Sequence, residues 1–219
     1  MNKKAIIIIV LYFISVSFPI RAAGSEDLTL IIDPGHGGDD GGAVSITGKK
    51  ESEINLDISL RCEQLAAFMG YNTVITRYFD TIDYPPELLT IRERKVWDQH
   101  ERLRLANSYA NAFFISIHQN KYSSAEPQGA QVFYNGSESG KYAFLLTEEI
   151  FKYINRDKKR TAKAISKDIY LLNKVECPAV LIECGFLSNI EEAHKLESDE
   201  HQKLLSVLII GSFCRYSCR

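Results

Sequence analysis

Four side chains in this sequence have the types that a catalytic metal site requires. His36 and His118 each follow an apolar run, and Glu183 ends a third such run. Glu51 stands just before a predicted helix. Two imidazoles and a carboxylate are the ligands of many catalytic zinc sites, which leave the fourth position to water. A second carboxylate, which is not a ligand, then has to move the proton of that water.

These residues are far apart along the chain, so only the fold can bring them together. Sites in open α/β sheets form beyond the carboxyl ends of the strands, and His36, His118 and Glu183 hold that position in the predicted strands. Glu183 is the strongest candidate for a functional role, because a carboxylate directly after the apolar run 179–182 is costly to bury without a partner. The sequence therefore predicts one site at the edge of a sheet.

Each of these residues also has a simpler interpretation. His36 could be a polar turn residue, and His118 could be a buried histidine with satisfied hydrogen bonds. Glu51 could be only a favourable negative charge in the first turn of a helix, and Glu53 competes with it for any ligand role. A phosphate-binding loop is disfavoured, because the Lys-Ser/Thr pair is missing and two aspartates follow the glycines.

The elements that must position these side chains alternate along the chain. Apolar runs predict strands and helical periodicity predicts helices. The predicted strands cover residues 28–33, 72–76, 112–116, 129–134, 169–172 and 179–182, and the predicted helices cover 54–69, 91–109, 141–155 and 200–215. This alternation predicts an α/β fold: a single three-layer domain with a mostly parallel central sheet flanked by helices.

The composition is that of one ordinary globular domain. The chain has 219 residues, 45% of them hydrophobic, and a formal net charge of −2. This length supports one sizeable core. A weakly negative chain without a long basic run is not expected to bind nucleic acid, because phosphate binding depends on clustered Lys and Arg.

The N-terminus has the order of residues that is typical of an export signal. Lys3 and Lys4 precede an uncharged apolar run over residues 5–20, and small residues follow at Ala22 and Ala23. Sixteen apolar residues are short for a membrane span of about 20. We expect residues 1–23 to form a signal peptide or an N-terminal membrane anchor, and residues 24–219 to form the catalytic domain.

Beyond single residues, six blocks resemble one family in their order and spacing. The chain is similar to the zinc-dependent N-acetylmuramoyl-L-alanine amidases, the amidase-3 family, from about residue 28 to 216. The blocks are LIIDPGHGG, ESEINLDISL, ERLRLAN, FFISIHQN, GAQVFY and AVLIECGFLSN.

The resemblance implies a role for each site residue. It implies that His36, Glu51 and His118 bind one Zn²⁺ ion and that Glu183 is the catalytic acid/base. The ligand falls on Glu51 because the family's glutamate precedes an Asn-Leu pair by the same distance. Asn120 is expected to orient substrate or to support a ligand, and Arg102 is expected mainly to form a structural ion pair.

The activity implied by the resemblance is hydrolysis of the amide between N-acetylmuramic acid and L-Ala in peptidoglycan. Within the family, the chain is most similar to the spore-cortex amidases, whose action precedes formation of muramic δ-lactam. The implied partners are glycan strands with stem peptides and an accessory protein at the membrane. The implied location is extracytoplasmic, between forespore and mother cell. Two alternatives stay open: an inactive wall-binding scaffold, and a zinc carboxypeptidase acting on stem peptides.

Overall fold

The computed structural model describes residues 28–156, 160–167 and 169–218. The predicted leader, residues 1–23, lies outside these residues and stays a prediction. In chain order the elements are β1 (Thr29–Pro34), α1 (Glu51–Phe68), β2 (Asn72–Ile75), α2 (Ile91–Asn107), β3 (Ala112–Asn120), β4 (Gln131–Tyr134), α3 (Ser137–Tyr153), β5 (Lys163–Ala164), α4 (Tyr170–Lys174), β6 (Ala179–Phe186), α5 (Ile190–Glu197) and α6 (Asp199–Ser217).

The strands form one sheet in the order β2-β1-β3-β6-β4-β5. All neighbouring strands are parallel except β4 and β6, which pair in the antiparallel sense. The predicted mostly parallel sheet is therefore confirmed. Parallel strands end at the same edge of a sheet, so β1, β3 and β6 present their carboxyl ends side by side.

Helices cover both faces of the sheet, as the three-layer prediction requires. The larger core joins α1, α3 and α6 to one face, and the smaller core joins α2 and α4 to the other. Strand alternation explains the division, because successive side chains point to opposite faces. In β3, for example, Phe113 and Ile115 belong to the larger core and Phe114 to the smaller one.

The boundaries of the helices follow local chemistry. The predicted start of α2 at residue 91 is correct, because Thr90 caps the helix: its Oγ1 accepts from the Glu93 amide at 3.2 Å. The Glu93 carboxylate in return accepts from the Thr90 amide at 2.9 Å.

Within the described residues, no helix is both long enough and apolar enough to cross a bilayer.

The structure corrects the type of one predicted element and the extent of others. The apolar run 169–172 predicts a strand, but residues 170–172 form the start of the short helix α4, where Leu172 packs in the smaller core. A four-residue apolar run does not distinguish a strand from a buried helical turn. The strands β3 and β6 also extend beyond residues 116 and 182, so His118 and Glu183 lie within them.

Candidate metal centre

His36 lies in the glycine-rich loop that follows β1. Its backbone has φ of +60°, and it is the only non-glycine residue with a positive φ among those the structure describes. This left-handed conformation is uncommon for a residue with a side chain and marks a position that the surroundings hold in place. The ring is held as well, since Nδ1 lies 3.0 Å from Oδ2 of Asp40. Nε2 of His36 is therefore directed away from Asp40.

Glu51 is the first residue of α1, which starts three residues earlier than the periodicity predicted. Its carboxylate lies between the two histidines: Oε1 is 3.4 Å from Nε2 of His36 and 3.2 Å from Nδ1 of His118. Backbone amides hold this carboxylate, because Oε1 accepts from Gln119 at 3.0 Å and Oε2 accepts from Ala43 at 2.9 Å. His36, Glu51 and His118 each offer one ligand atom, and these three atoms lie within 4.8 Å of one another.

The electrostatics of this cluster favour positive charge at its centre. Burial alone would lower the pKa of His36, but hydrogen bonds to Asp40 and Glu51 outweigh it and raise the pKa to about 9. Burial would raise the pKa of Glu51, yet hydrogen bonds with His118 and His36 hold it below its usual range. The carboxylate thus stays ionised, and a divalent cation matches this donor set.

Glu183 lies next to the cluster, on the strand beside His118. The two residues are direct partners in the register of β3 and β6. Oε2 of Glu183 is buried and has no hydrogen-bond partner among the described residues. Burial raises the pKa of this carboxyl to about 7, with the positive charge of His118 opposing the shift and the negative charge of Glu51 adding to it. A carboxyl in this state can exchange a proton near neutral pH.

Arg102 forms a buried ion pair beneath the His36 loop. Its Nη1 donates to Oδ1 of Asp33 at 3.0 Å and to the Pro34 carbonyl at 2.7 Å. Its Nη2 donates to the His36 carbonyl and pairs with Asp98 at 2.7 Å. Burial alone would raise the pKa of Asp33, but the Arg102 charge and two hydroxyl donors keep it lowered. Arg102 therefore forms buried ion pairs with Asp33 and Asp98, and its role in the site stays a prediction.

Asn120 is the last residue of β3 and is half-buried. Its carbonyl accepts from the Leu187 amide at 2.8 Å, and the register with β6 is irregular between His118 and Asn120. The structure thus places Asn120 at the same sheet edge as the cluster. A role toward substrate stays a prediction.

A cavity of about 170 Å³ opens beside the two histidines. Helix α2 lines it with Lys95 and Gln99, and the start of α4 lines it with Tyr170. His36 and His118 keep 19% and 21% of their side-chain surface exposed, so a molecule in the cavity can reach both. The predicted ligand set is therefore buried on one side and accessible on the other.

Sequence reasoning missed two residues that shape this site. Asp40 was considered only as a residue that would repel phosphate, yet it holds the His36 ring. The glycines around His36 are expected to let the backbone approach a metal or a substrate closely, whereas Gly35 instead leaves room for the His118 ring. An acidic residue four positions after a histidine in a glycine-rich loop is the signal that could have indicated Asp40.

Comparisons with known proteins agree with this geometry. A sequence profile described as N-acetylmuramoyl-L-alanine amidase matches residues 30–212. The germination-specific N-acetylmuramoyl-L-alanine amidase of Bacillus subtilis (strain 168) is 35% identical over 194 residues, covering 85% of this chain and 78% of that protein.

Two solved structures share the fold. The CwlD amidase from Clostridioides difficile, in complex with the GerS lipoprotein, has a TM-score of 0.81 and 32% identity, covering 86% of this chain and 97% of that chain. The N-acetylmuramoyl-L-alanine amidase AmiC2 of Nostoc punctiforme has a TM-score of 0.75 and 28% identity, covering 90% of this chain and 100% of that chain. The chain therefore belongs to the N-acetylmuramoyl-L-alanine amidase family, whose members are amidases of the bacterial cell wall.

Proposed function

We propose that this chain uses one bound Zn²⁺ ion to hydrolyse the amide between the lactyl group of N-acetylmuramic acid and L-Ala in peptidoglycan. The observation that carries the proposal is the position of the buried Glu183 carboxyl, which is the register partner of His118 in the His36–Glu51–His118 cluster. Three ligands with a neighbouring free carboxyl are what metal-assisted hydrolysis requires.

The residues fit zinc by the chemistry of their donor atoms. Two imidazole nitrogens and one carboxylate oxygen are a usual ligand set for catalytic zinc. His36, Glu51 and His118 would hold the ion, and Asp40 would orient the His36 ring as carboxylates commonly do for ligating histidines. When bound, zinc supplies a Lewis acid for the scissile carbonyl and lowers the pKa of a bound water.

Glu183 carries the proton chemistry in this proposal. Its unpartnered Oε2 is the atom that would accept a proton from the attacking water. The same carboxyl would then give the proton to the nitrogen of the departing L-Ala, so that the amine leaves in a neutral form. A pKa near neutrality suits both halves of the transfer.

The cavity between α2 and α4 provides a surface for the substrate. It reaches His36 and His118 from the side of Lys95 and Tyr170, where hydrogen-bonding and aromatic groups are exposed to a bound chain. Asn120, at the end of β3, would orient the substrate near the same sheet edge. Arg102, which also lines this cavity, would keep the His36 loop in place from below.

In biological terms, we propose a role in spore cortex maturation, before muramic δ-lactam is formed. The similarity to a germination-specific amidase supports this role. The chain would act outside the cytoplasm, between forespore and mother cell. The Clostridioides difficile relative was solved with a lipoprotein, which supports an accessory membrane lipoprotein as a partner here as well.

The test is to incubate the zinc-loaded chain with peptidoglycan and to identify the new chain ends. We expect new N-terminal L-Ala without release of C-terminal amino acids. Release of terminal amino acids would indicate a carboxypeptidase, and wall binding without new ends would indicate a scaffold. Either result would contradict the proposal.

Two variants separate the role of Glu183 from a general effect of charge. Glu183→Gln should lose nearly all turnover and keep its zinc, whereas Glu176→Gln, at an exposed position, should keep both.

For the spore role, expression of this chain in a spore-forming host that lacks its own cortex amidase should restore muramic δ-lactam. Cortex without δ-lactam, despite amidase activity in vitro, would contradict that role.

A further inference from the structure

Three consecutive backbone carbonyls, those of Pro34, Gly35 and His36, accept hydrogen bonds from buried arginines. Arg102 donates to the first and third of them. Arg77, which follows β2, donates to the first and second, through Nε to Pro34 at 3.1 Å and through Nη2 to Gly35 at 3.1 Å. The loop that carries His36 is therefore held by two guanidinium groups.

Arg77, unlike Arg102, also contacts helix α1. Its Nη2 also donates to the carbonyl of Ser52 at 2.7 Å, in the first turn of α1. Ser52 follows Glu51 directly, so one guanidinium connects the loop that carries His36 to the turn that carries Glu51. Its Nη1 donates to the Phe79 carbonyl at 3.1 Å, which ties the group to its own loop.

We propose that Arg77 is a positioning residue for the metal centre, which holds the His36 loop and the first turn of α1 at the separation that metal binding requires. The inference rests on the proposed metal role of His36, Glu51 and His118. Arg77 is 8% exposed and contacts backbone atoms rather than the ligand side chains, so it acts through the backbone.

The geometry requires a guanidinium rather than any cation. A planar fork with five N–H donors can serve four carbonyls on three segments at once, and an ammonium at the end of a flexible chain cannot reach them all. The loop also packs closely on this group: a Cβ on Gly37, which has φ of +137°, would lie 2.8 Å from Nε of Arg77. Burial and the charge of Arg102 lower the pKa of Arg77 to about 10, so it remains charged at neutral pH.

A positioning role and a purely structural role predict different results for zinc binding. If Arg77 only stabilises the fold, its replacement lowers the melting temperature equally with and without zinc. If Arg77 sets the distance between His36 and Glu51, its replacement also weakens zinc binding. Part of the free energy of zinc binding must then be used to bring these two ligands to their positions. Loss of an outer-shell partner commonly weakens metal binding about 10- to 100-fold.

The experiment uses Arg77→Lys in the full chain, with Arg104→Lys as the matched control. Arg104 is an exposed arginine on α2 that pairs with Glu101. Zinc affinity is measured by competition with a chromophoric chelator, melting temperature is measured with and without zinc, and the visible spectrum is recorded with Co²⁺. We expect Arg77→Lys to raise the zinc dissociation constant about 10-fold or more, to reduce the zinc-induced rise in melting temperature and to change the Co²⁺ spectrum.

Several outcomes would overturn the inference. Unchanged zinc affinity and an unchanged Co²⁺ spectrum in a folded Arg77→Lys protein would show that Arg77 does not position the ligands. A variant with no unfolding transition even in saturating zinc would show that the fold itself requires Arg77. Failure of the unaltered chain to bind zinc would instead contradict the proposed function, so the two failures are distinguishable.

Discussion

Gly35 and His118 approach each other so closely that no side chain fits between them. A Cβ on Gly35 would lie 2.2 Å from Nε2 of the His118 ring. We therefore expect Gly35→Ala to displace this ring and to abolish stoichiometric zinc binding, measured as metal content after dialysis.

A matched control is Gly211→Ala on α6, where a Cβ would meet nothing within 4 Å. This control should retain zinc and gain up to about 1 kcal/mol of stability, because alanine is favoured over glycine within a helix. Full zinc content in Gly35→Ala would mean that the loop relaxes without disturbing His118.

Glu51 and Glu53 provide a direct test of the ligand assignment. Glu51 Oε1 lies between the two histidines, whereas Glu53 takes no part in the cluster. Glu51→Gln should lose zinc and activity, because a neutral amide is a much weaker ligand than a carboxylate. Glu53→Gln should resemble the unaltered chain in zinc content and in turnover. Equal losses in the two variants would indicate a general effect of charge near α1.

Asp40 and Asp39 are neighbours with different contacts. Asp40 holds Nδ1 of His36, and Asp39 forms a surface ion pair with Arg94. Asp40→Ala should weaken zinc binding about 10-fold or more, because the His36 ring loses its orienting partner. Asp39→Ala should leave zinc binding unchanged. Chelator competition measures both, and identical affinities would exclude an orienting role for Asp40.

The Asp33–Arg102 pair should contribute strongly to stability, because both groups are buried. Arg102→Met would leave the Asp33 carboxylate buried without its charged partner, which costs about 3–5 kcal/mol in comparable cases. Replacing Asp33 with Asn in the same chain should recover part of the loss. Arg104→Met, which removes an exposed arginine from the same helix, should change stability little. Urea unfolding measures all three variants, and a minor loss in Arg102→Met would contradict this prediction.

The raised pKa of Glu183 predicts a pH-dependent cost to folding in the metal-free protein. The carboxyl has a pKa of about 7 when folded and about 4.3 when unfolded. The folded state binds the proton of Glu183 more tightly than the unfolded state does, so protonation of this carboxyl stabilises the fold. This stabilisation is complete below about pH 4 and is lost as the pH rises through 7.

Glu183→Gln stays neutral at every pH and should escape this cost. Without metal, we expect it to be more stable than the unaltered chain at pH 8 by up to about 3 kcal/mol, and nearly equal at pH 4.5. Urea unfolding with a chelator present measures the difference. A difference that does not vary with pH would show that Glu183 keeps an ordinary pKa.

The local pattern of the sequence was sufficient for most of the fold. The apolar runs of β1, β3 and β6 could be recognised because a strand buried on both faces is continuously hydrophobic. The start of α2 could be predicted because its cap is formed by nearby residues. The run 169–172 was assigned incorrectly because four apolar residues carry no period, and packing beside α2 decided in favour of a helix.

The candidate site, like the fold, could be predicted from the sequence only in part. The residue types of His36, His118 and Glu183 could be read from the sequence alone, as could the three apolar runs beside them. The structure shows that β3 and β6 continue past His118 and Glu183. The choice of Glu51 over Glu53 from the residues alone stayed open, because it depends on how the first turn of α1 meets the neighbouring strands. The resemblance to a family selected Glu51, and the structure places its carboxylate between the histidines.

The sequence by itself therefore determined which groups are available and which strands carry them. Only the tertiary structure decided how they are held: Asp40 against His36, the space that Gly35 leaves for His118, and the contacts of Arg77 and Arg102 with the loop carbonyls. The physical reason is that these contacts depend on the path of loops between elements. That path is set by packing between residues far apart in the chain, which no local pattern records.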